Sequence, residues 1–299
     1  MTPHNLAPPS TRRYRLASAP TRAKVATTMK HLMWIVAASI LLPVCGGAQV
    51  VPLEHAHAHN DYQHARPLAD ALEHGFTSIE ADIYLVDGQL LVAHDRDKVD
   101  PARTLQKLYL DPLRAVIQQH GGAVYGTPYP VTLLIDIKSD SLATYVALDS
   151  VLRRYADILT IFADTLVIKG PIVAVVSGER ALGMVRDAHV RYAALDGRLA
   201  HLDSTRSYPA RVMPLISDNW DQVTTWKGEG PPPPTLRADL ARIVSRAHAH
   251  GQRIRFWATP DTEAVREILR AAHVDLIGAD DLDALRSSML DHRATSAPE

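Results

Sequence analysis

Ser78-Ile79-Glu80-Ala81-Asp82-Ile83 is the stretch that decides the fold. Side chains alternate along a strand. Read as a strand, it puts Ile79, Ala81 and Ile83 on one face and Glu80 and Asp82 on the other. The apolar face suits helices packed outside a barrel. The acidic face then points inward, near the end of the strand. Two carboxylates that close repel each other unless a cation or a proton sits between them.

The same grammar recurs on both sides. Val131-Thr132-Leu133-Leu134-Ile135-Asp136-Ile137-Lys138 sends Val131, Leu133, Ile135 and Ile137 one way and Asp136 and Lys138 the other. Leu90-Leu91-Val92-Ala93 runs into His94-Asp95, and Asp87-Gly88 before it reads as a hairpin turn. Upstream, His55, His57 and His59 alternate, so a strand would align them on one face. Further apolar runs near 172–177, 191–195, 212–217, 253–258 and 274–278 read as strands.

Between them lie helical patterns. Asp111-Pro112 reads as an N-cap with a first-turn proline, and Gly121 as that helix's stop. Thr235 opens a second helix, with Leu236, Leu240, Ile243, Val244 and Ala247 on one face. Asp261 or Thr262 opens a third, and Pro231–Pro234 reads as a stiff strand–helix loop. Strands alternating with helices predict an α/β fold with a parallel sheet. The expectation is a single, somewhat irregular (β/α)₈ TIM-type barrel over residues 49–292. A small hairpin is inserted after its second strand, and a tail frays from residue 293 to 299.

Residues 1–48 are unlike the rest, with six basic residues and no acidic one. Met29-Lys30-His31, the apolar run Leu32–Val44 and the small Gly46-Gly47-Ala48 have the layout of a secretory signal peptide over 29–48, behind an upstream extension 1–28. An exported protein, periplasmic or secreted, is expected. An uncleaved N-terminal anchor is the alternative. The only cysteine, Cys45, lies inside this leader. Without the leader the formal charge moves from −1 to −7, because six basic residues leave and no acidic one does. That balance argues against nucleic acid as a partner. It leaves room for transient contact with a membrane surface.

Polar residues at the carboxyl ends of barrel strands are where such folds keep their active sites. Here those ends carry three carboxylates, at least two histidines and a lysine. Carboxylate ligation suits a hard divalent cation, Mg²⁺ or Ca²⁺. Histidines free of the metal can serve as acid and base, and Lys138 can hold an anionic oxygen. The inventory suits cleavage of a phosphodiester.

At these residues the chain resembles the superfamily of glycerophosphodiester phosphodiesterases, phosphatidylinositol-specific phospholipase C and spider-venom sphingomyelinase D. The shared order is an early His, Glu-x-Asp, Asp-Gly, His-Asp, and an acid in an apolar strand followed by Lys. In this chain these are His59-Asn60, Glu80-Ala81-Asp82, Asp87-Gly88, His94-Asp95 and Asp136-Ile137-Lys138. The resemblance implies His59 and His94 as the acid–base or nucleophilic pair. It implies Glu80, Asp82 and Asp136 as metal ligands and Lys138 as a substrate contact. Asn60 stands where glycerophosphodiesterases have Arg, and is a candidate phosphate contact in its place. Their Pro-Glu-Asn-Thr stretch is absent, and Asp136 is similar to the sphingomyelinase D branch. The His-Asn-Asp-Tyr form resembles a poorly characterised, phospholipase C-like subgroup.

Trp257 is read either as barrel packing or as a substrate platform. His55 and His57 are expected to be structural. The expected substrate is a small phosphodiester or a phospholipid headgroup. Two other functions compete. His57-Ala58-His59 also fits a zinc site of the amidohydrolase type, and a non-catalytic exported binding module could keep the same barrel.

Overall fold

The computed structural model describes residues 50–296 apart from 204, 206 and 207. The leader reading for 1–48 lies outside the described residues. Eight parallel strands build the barrel, and each lies between hydrogen-bonded neighbours in the order β11-β10-β9-β7-β4-β2-β1-β12. They are β1 (Leu53–Ala58), β2 (Phe76–Val86), β4 (Val131–Ile137), β7 (Ile172–Gly178), β9 (Ala194–Gly197), β10 (Leu215–Asn219), β11 (Arg253–Trp257) and β12 (Ile277–Ala279). Between β11 and β12 the ring closes through one bridge, Arg255 opposite Leu276. There the Ile254 carbonyl accepts from both Asp275 N and Leu276 N, at 3.1 Å each.

The insertion after β2 is β3 (Gln89–Val92), antiparallel to β2 with Val86 opposite Gln89. That register leaves Asp87-Gly88 as a two-residue turn. Both residues have positive φ, 48° and 77°, as a type I′ turn requires. Seven helices follow the strands: α1 (Ala69–Glu73), α2 (Asp111–Gln119), α3 (Ser141–Leu152), α4 (Leu182–Asp187), α5 (Leu236–Ala249), α6 (Glu263–Ala271) and α7 (Leu282–Ser296). Between β9 and β10 a 3₁₀ turn, Leu199–Leu202, stands in place of an α-helix, so the barrel is irregular. Caps start the helices where the sequence offers them. The Asp140 side chain accepts from Ala143 N, and Thr262 from Val265 N.

Alternation divides the core in two. Ile79, Ala81 and Ile83 of β2 and Leu133, Ile135 and Ile137 of β4 point outward into one buried cluster with Leu113 and Ile117 of α2 and Leu148 and Leu152 of α3. Each of these leucine and isoleucine side chains contributes about 1.5–3 kcal/mol by leaving water. Inside the ring Leu134, Val175, Leu215 and Leu276 form a separate apolar plug, one layer below Asp136, Ser177, Ser217 and Gly278 in their strands. Above the plug the inward positions turn polar.

Several expectations need correction. Asp111 is the first residue of α2, not its N-cap, because a π-helical turn, Gln106–Leu110, runs straight into it. Its carboxylate accepts from Tyr155 OH at 2.6 Å and so ties α2 to the turn after α3. The run 191–195 splits: β8 (Val190–Arg191) leaves the barrel, and β9 starts at Ala194. β8 joins β5 (Ile161–Ala163) and β6 (Leu166–Ile168) in a small antiparallel sheet, order β6-β5-β8. α7 runs to Ser296, and Arg293 Nη2 donates to Pro52 O at 3.1 Å; residues 297–299 of the expected tail lie outside the described residues.

Candidate active site

Glu80, Asp82 and Asp136 converge inside the C-terminal mouth of the barrel. β2 and β4 pair with Asp82 directly opposite Asp136. Each of the three acids brings one oxygen within 4.8 Å of the others. Among the described residues this is the group that could hold a metal ion. The fit is physical. Asp82 Oδ1 and Asp136 Oδ1 are buried and have no hydrogen-bond partner, which is costly unless a cation or proton fills the gap. Burial, and then the negative charge of Glu80, push the Asp82 carboxyl up to about 6. Burial also raises Asp136, against the pull of Lys138.

Two cations already balance part of this charge. Lys138 Nζ lies 3.0 Å from Asp136 Oδ2 and 3.2 Å from Asp82 Oδ2. The structure thus places Lys138 first against the acids, at the edge of the mouth. Arg255, inward on β11, sends Nη2 to Glu80 Oε2 at 3.0 Å, with both residues buried. Three carboxylates against these two cations leave one net negative charge.

His57 joins this ring from below. It is fully buried, with Nε2 at 2.9 Å from Glu80 Oε2 and Nδ1 at 2.8 Å from Ser78 Oγ. Burial, and then the Arg255 charge, lower its pKa to about 3. His57 is therefore a neutral donor to Glu80, and Ser78 donates to it. Burial opposes ionisation of Glu80, but Arg255 and the His57 bond outweigh it and hold the carboxyl well below its usual range. With both its nitrogens engaged, His57 offers no zinc site beside His59, so the amidohydrolase pattern is not assembled here. His57 is structural, as expected, yet it positions a site carboxylate. His55 lies at the other end of β1, against Asp275 O.

His59 and His94 face the mouth from different elements. His59 Nδ1 lies 2.8 Å from Asp280 Oδ1, just beyond β12. Burial pulls His59 down, but the Asp280 bond and the Glu80 charge win, and its pKa is raised. Tyr62 OH lies 2.6 Å from Asn60 Oδ1, 2.7 Å from Asp82 Oδ2 and 2.9 Å from His94 Nδ1. The two oxygens already compete for the single phenol proton, so His94 Nδ1–H must donate to the phenol oxygen. Both histidines thus spend Nδ1 on the protein and keep Nε2 for chemistry. Asn60 sits in the left-handed region, φ 50°, which Asn tolerates. Asp61 is buried beneath it, accepting from Leu68 N and Tyr109 OH, and anchors the turn.

His59, His94, Glu80, Asp136 and Arg255 line a cavity of about 520 Å³ that also includes Asn60, Lys138, Trp257 and Arg198. Trp257 is on its lip, more than a third exposed. The far wall is β7 and β9, where buried Asp196 accepts from Ser177 OH at 2.7 Å and from Arg198 Nη1 at 2.9 Å. Sequence reasoning missed Arg255, Tyr62, Asp280 and the Asp196–Arg198 pair. Arg253-Ile254-Arg255-Phe256-Trp257 carried the signal that exposed Glu80, since two arginines alternate with buried apolar residues.

Gly178 closes the acid pocket. It has φ 67°, and a Cβ there would run into Asp136 Oδ1 and the Ile137 carbonyl. Gly178→Ala is expected to cost about 1–3 kcal/mol of stability and to weaken the cation-induced rise in melting temperature. Scanning calorimetry with and without Mg²⁺ or Ca²⁺ checks both. An unchanged cation response would mean that Asp136 is not held by this contact.

Comparison with known proteins gives the family. The model of the AIM6-like phosphodiesterase domain matches residues 47–196, which include every acid and histidine of the mouth except Asp280. Altered inheritance of mitochondria protein 6 of Eremothecium gossypii is 28% identical over 277 residues, covering 78% of this chain and 69% of that protein. The homolog of that protein in Arthroderma benhamiae is 27% identical over 268 residues, covering 79% and 84%. Among solved structures, a glycerophosphodiester phosphodiesterase from Parabacteroides distasonis aligns at 14% identity and TM-score 0.47, over 82% of this chain and 98% of that one. An Oleispira antarctica phosphodiesterase, solved with its product sn-glycerol-3-phosphate, aligns at 15% identity and TM-score 0.49, over 80% and 97%. On the extent of the domain match, half of its residues, this chain belongs to the AIM6-like phosphodiesterase domain family.

Proposed function

We propose that this chain is an exported phosphodiesterase that cleaves a small phosphodiester or a phospholipid headgroup at the mouth of its barrel. Glu80, Asp82 and Asp136 would hold a divalent cation, Mg²⁺ or Ca²⁺. The observation that carries this reading is the pair of buried, unpartnered carboxylate oxygens, Asp82 Oδ1 and Asp136 Oδ1, beside a cavity lined by Asp136, His59 and His94. A bound cation supplies charge neutralisation for the phosphate oxygens. The chain's own residues do the rest. Nε2 of one histidine takes the proton of the attacking hydroxyl, and Nε2 of the other gives a proton to the departing alcohol. Asp280 and Tyr62 keep both rings in the tautomer that leaves Nε2 open. Asn60, Lys138 and Trp257 line the space that the ester and its substituents would fill.

The test is cleavage of bis(p-nitrophenyl) phosphate, glycerophosphodiesters, phosphatidylinositol and sphingomyelin, in EDTA and then with Mg²⁺ or Ca²⁺ added. Cation-restored cleavage is expected. Absence of cleavage across the panel by folded, cation-loaded protein would favour the binding module. His94→Gln is expected to keep the cation-induced rise in melting temperature and to lose about 10²–10⁴-fold in turnover. Full turnover would remove His94 from the reaction.

A further inference from the structure

The far end of the barrel carries an apolar face with no partner among the described residues. β5, β6 and β8 follow the descending helices α3 and α4 and precede β7 and β9, so their sheet lies at the N-terminal end, opposite the mouth. Register puts Ile161 opposite Ile168, and Ala163 opposite both Leu166 and Val190. All five side chains therefore share one face. Leu166, Ile168 and Val190 are 60%, 51% and 45% exposed. Phe162 and Val167 point the other way, into a cavity shared with Pro128, Pro130, Pro171 and Pro214. Of this face, Ile161 packs against the barrel core, whereas Leu166, Ile168 and Val190 stand out from it.

Charge around the face runs against that of the whole molecule. Lys169 follows Ile168 directly, and Arg211 Nε donates to Asp164 O at the hairpin tip. Neither cation is in an ion pair among the described residues. The nearest acid, Asp164, pairs with His189 at 3.0 Å. An apolar patch beside basic side chains that have no carboxylate partner among the described residues matches the boundary between headgroups and acyl chains of a bilayer. The exposed parts of three aliphatic side chains fall well below the ~800 Å² per partner of a stable protein complex. The chain also enters β1 from this end, where Val51 is exposed. Six residues upstream of Val50 in the sequence the apolar run Leu32–Val44 ends. Among the described residues no helix is long and apolar enough to cross a membrane.

We propose that the β5-β6-β8 sheet docks this end of the barrel on a phospholipid surface through Leu166, Ile168 and Val190, with Lys169 and Arg211 against the headgroups. Docked in this way, the mouth turns away from that bilayer, and its substrate arrives from the aqueous side. This last consequence rests on the phosphodiesterase reading, whereas the docking does not.

The experiment is co-sedimentation of the full-length chain, as isolated from an exporting host, with vesicles of phosphatidylcholine and phosphatidylglycerol. Leu166→Asp/Ile168→Asp is expected to weaken partitioning about tenfold or more, with melting temperature and bis(p-nitrophenyl) phosphate turnover unchanged. Leu142→Asp/Val146→Asp, exposed on α3 near the mouth, is expected to leave partitioning unchanged. Undiminished binding of the sheet variant would overturn the proposal, and would assign any binding to the run Leu32–Val44. An equal loss in the α3 variant would overturn it in favour of docking by the mouth. A change of molecular mass without a change in partitioning would assign the face to a second copy. Binding is read without turnover, so failure here leaves the phosphodiesterase reading standing.

Discussion

Asp82→Asn is expected to leave a folded protein that melts in EDTA at or above the temperature of the parent, yet gains nothing from Mg²⁺ or Ca²⁺ and turns over at least about 10³-fold more slowly. The sign follows from crowding. In the cation-free state three carboxylates share one pocket, and Asp82 pays most, its carboxyl raised to about 6 by burial and by Glu80. An amide of the same shape removes that repulsion and can still accept from Tyr62 OH or Lys138 Nζ. Sites arranged for function commonly gain stability when disarmed. The loss of turnover is the scale expected when charge stabilisation in a dry site is removed. Calorimetry in EDTA and in cation, beside a turnover assay, reads all three quantities. A variant that keeps its cation response would remove Asp82 from the ligand set.

Arg255→Met is expected to do the opposite. It leaves Glu80 buried with one neutral partner, His57, and no counter-ion in contact. Removing one member of a buried pair costs about 3–5 kcal/mol. For a domain of this size that corresponds to a fall in melting temperature of about 10 °C. Adding Glu80→Gln should restore much of the stability, since the orphaned charge goes with it, while turnover stays low. The coupling between the two substitutions is the quantity of interest. A fall of only a degree or two for Arg255→Met, or no rescue in the double variant, would show that the guanidinium is not holding this carboxylate.

The two residues differ in how readable they are. Glu80, Asp82 and Asp136 stand out because each interrupts an apolar strand on one face, and period-two alternation turns that into a direction. Asp87-Gly88 is legible for the same local reason, as φ > 0 at both positions limits which residues fit. Arg255 obeys the alternation too, but its partner is 175 positions away, and no local pattern says which acid it meets. Tyr62 and Asp280 become meaningful only once β1, β2 and β12 lie side by side. The small β5-β6-β8 sheet is hidden for another reason. Its strands have two or three residues each, too few for a period to register. Asp111 misleads because the signature of a helix start carries no mark of the π-turn that leads into it.

The single bridge between β11 and β12 gives Glu80 a second duty. Every other junction of the barrel is held by two or more register pairs, and this one by Arg255 opposite Leu276 alone. The guanidinium of Arg255 reaches across β12 and β1 to the carboxylate on β2, so a side-chain strut spans the weakest stave joint of the ring. A shorter acid at position 80 would leave that strut without its far anchor, however well it bound a cation. Evolution of the chemistry at this mouth is thereby tied to the mechanics of the ring, and the length of one side chain is fixed by both.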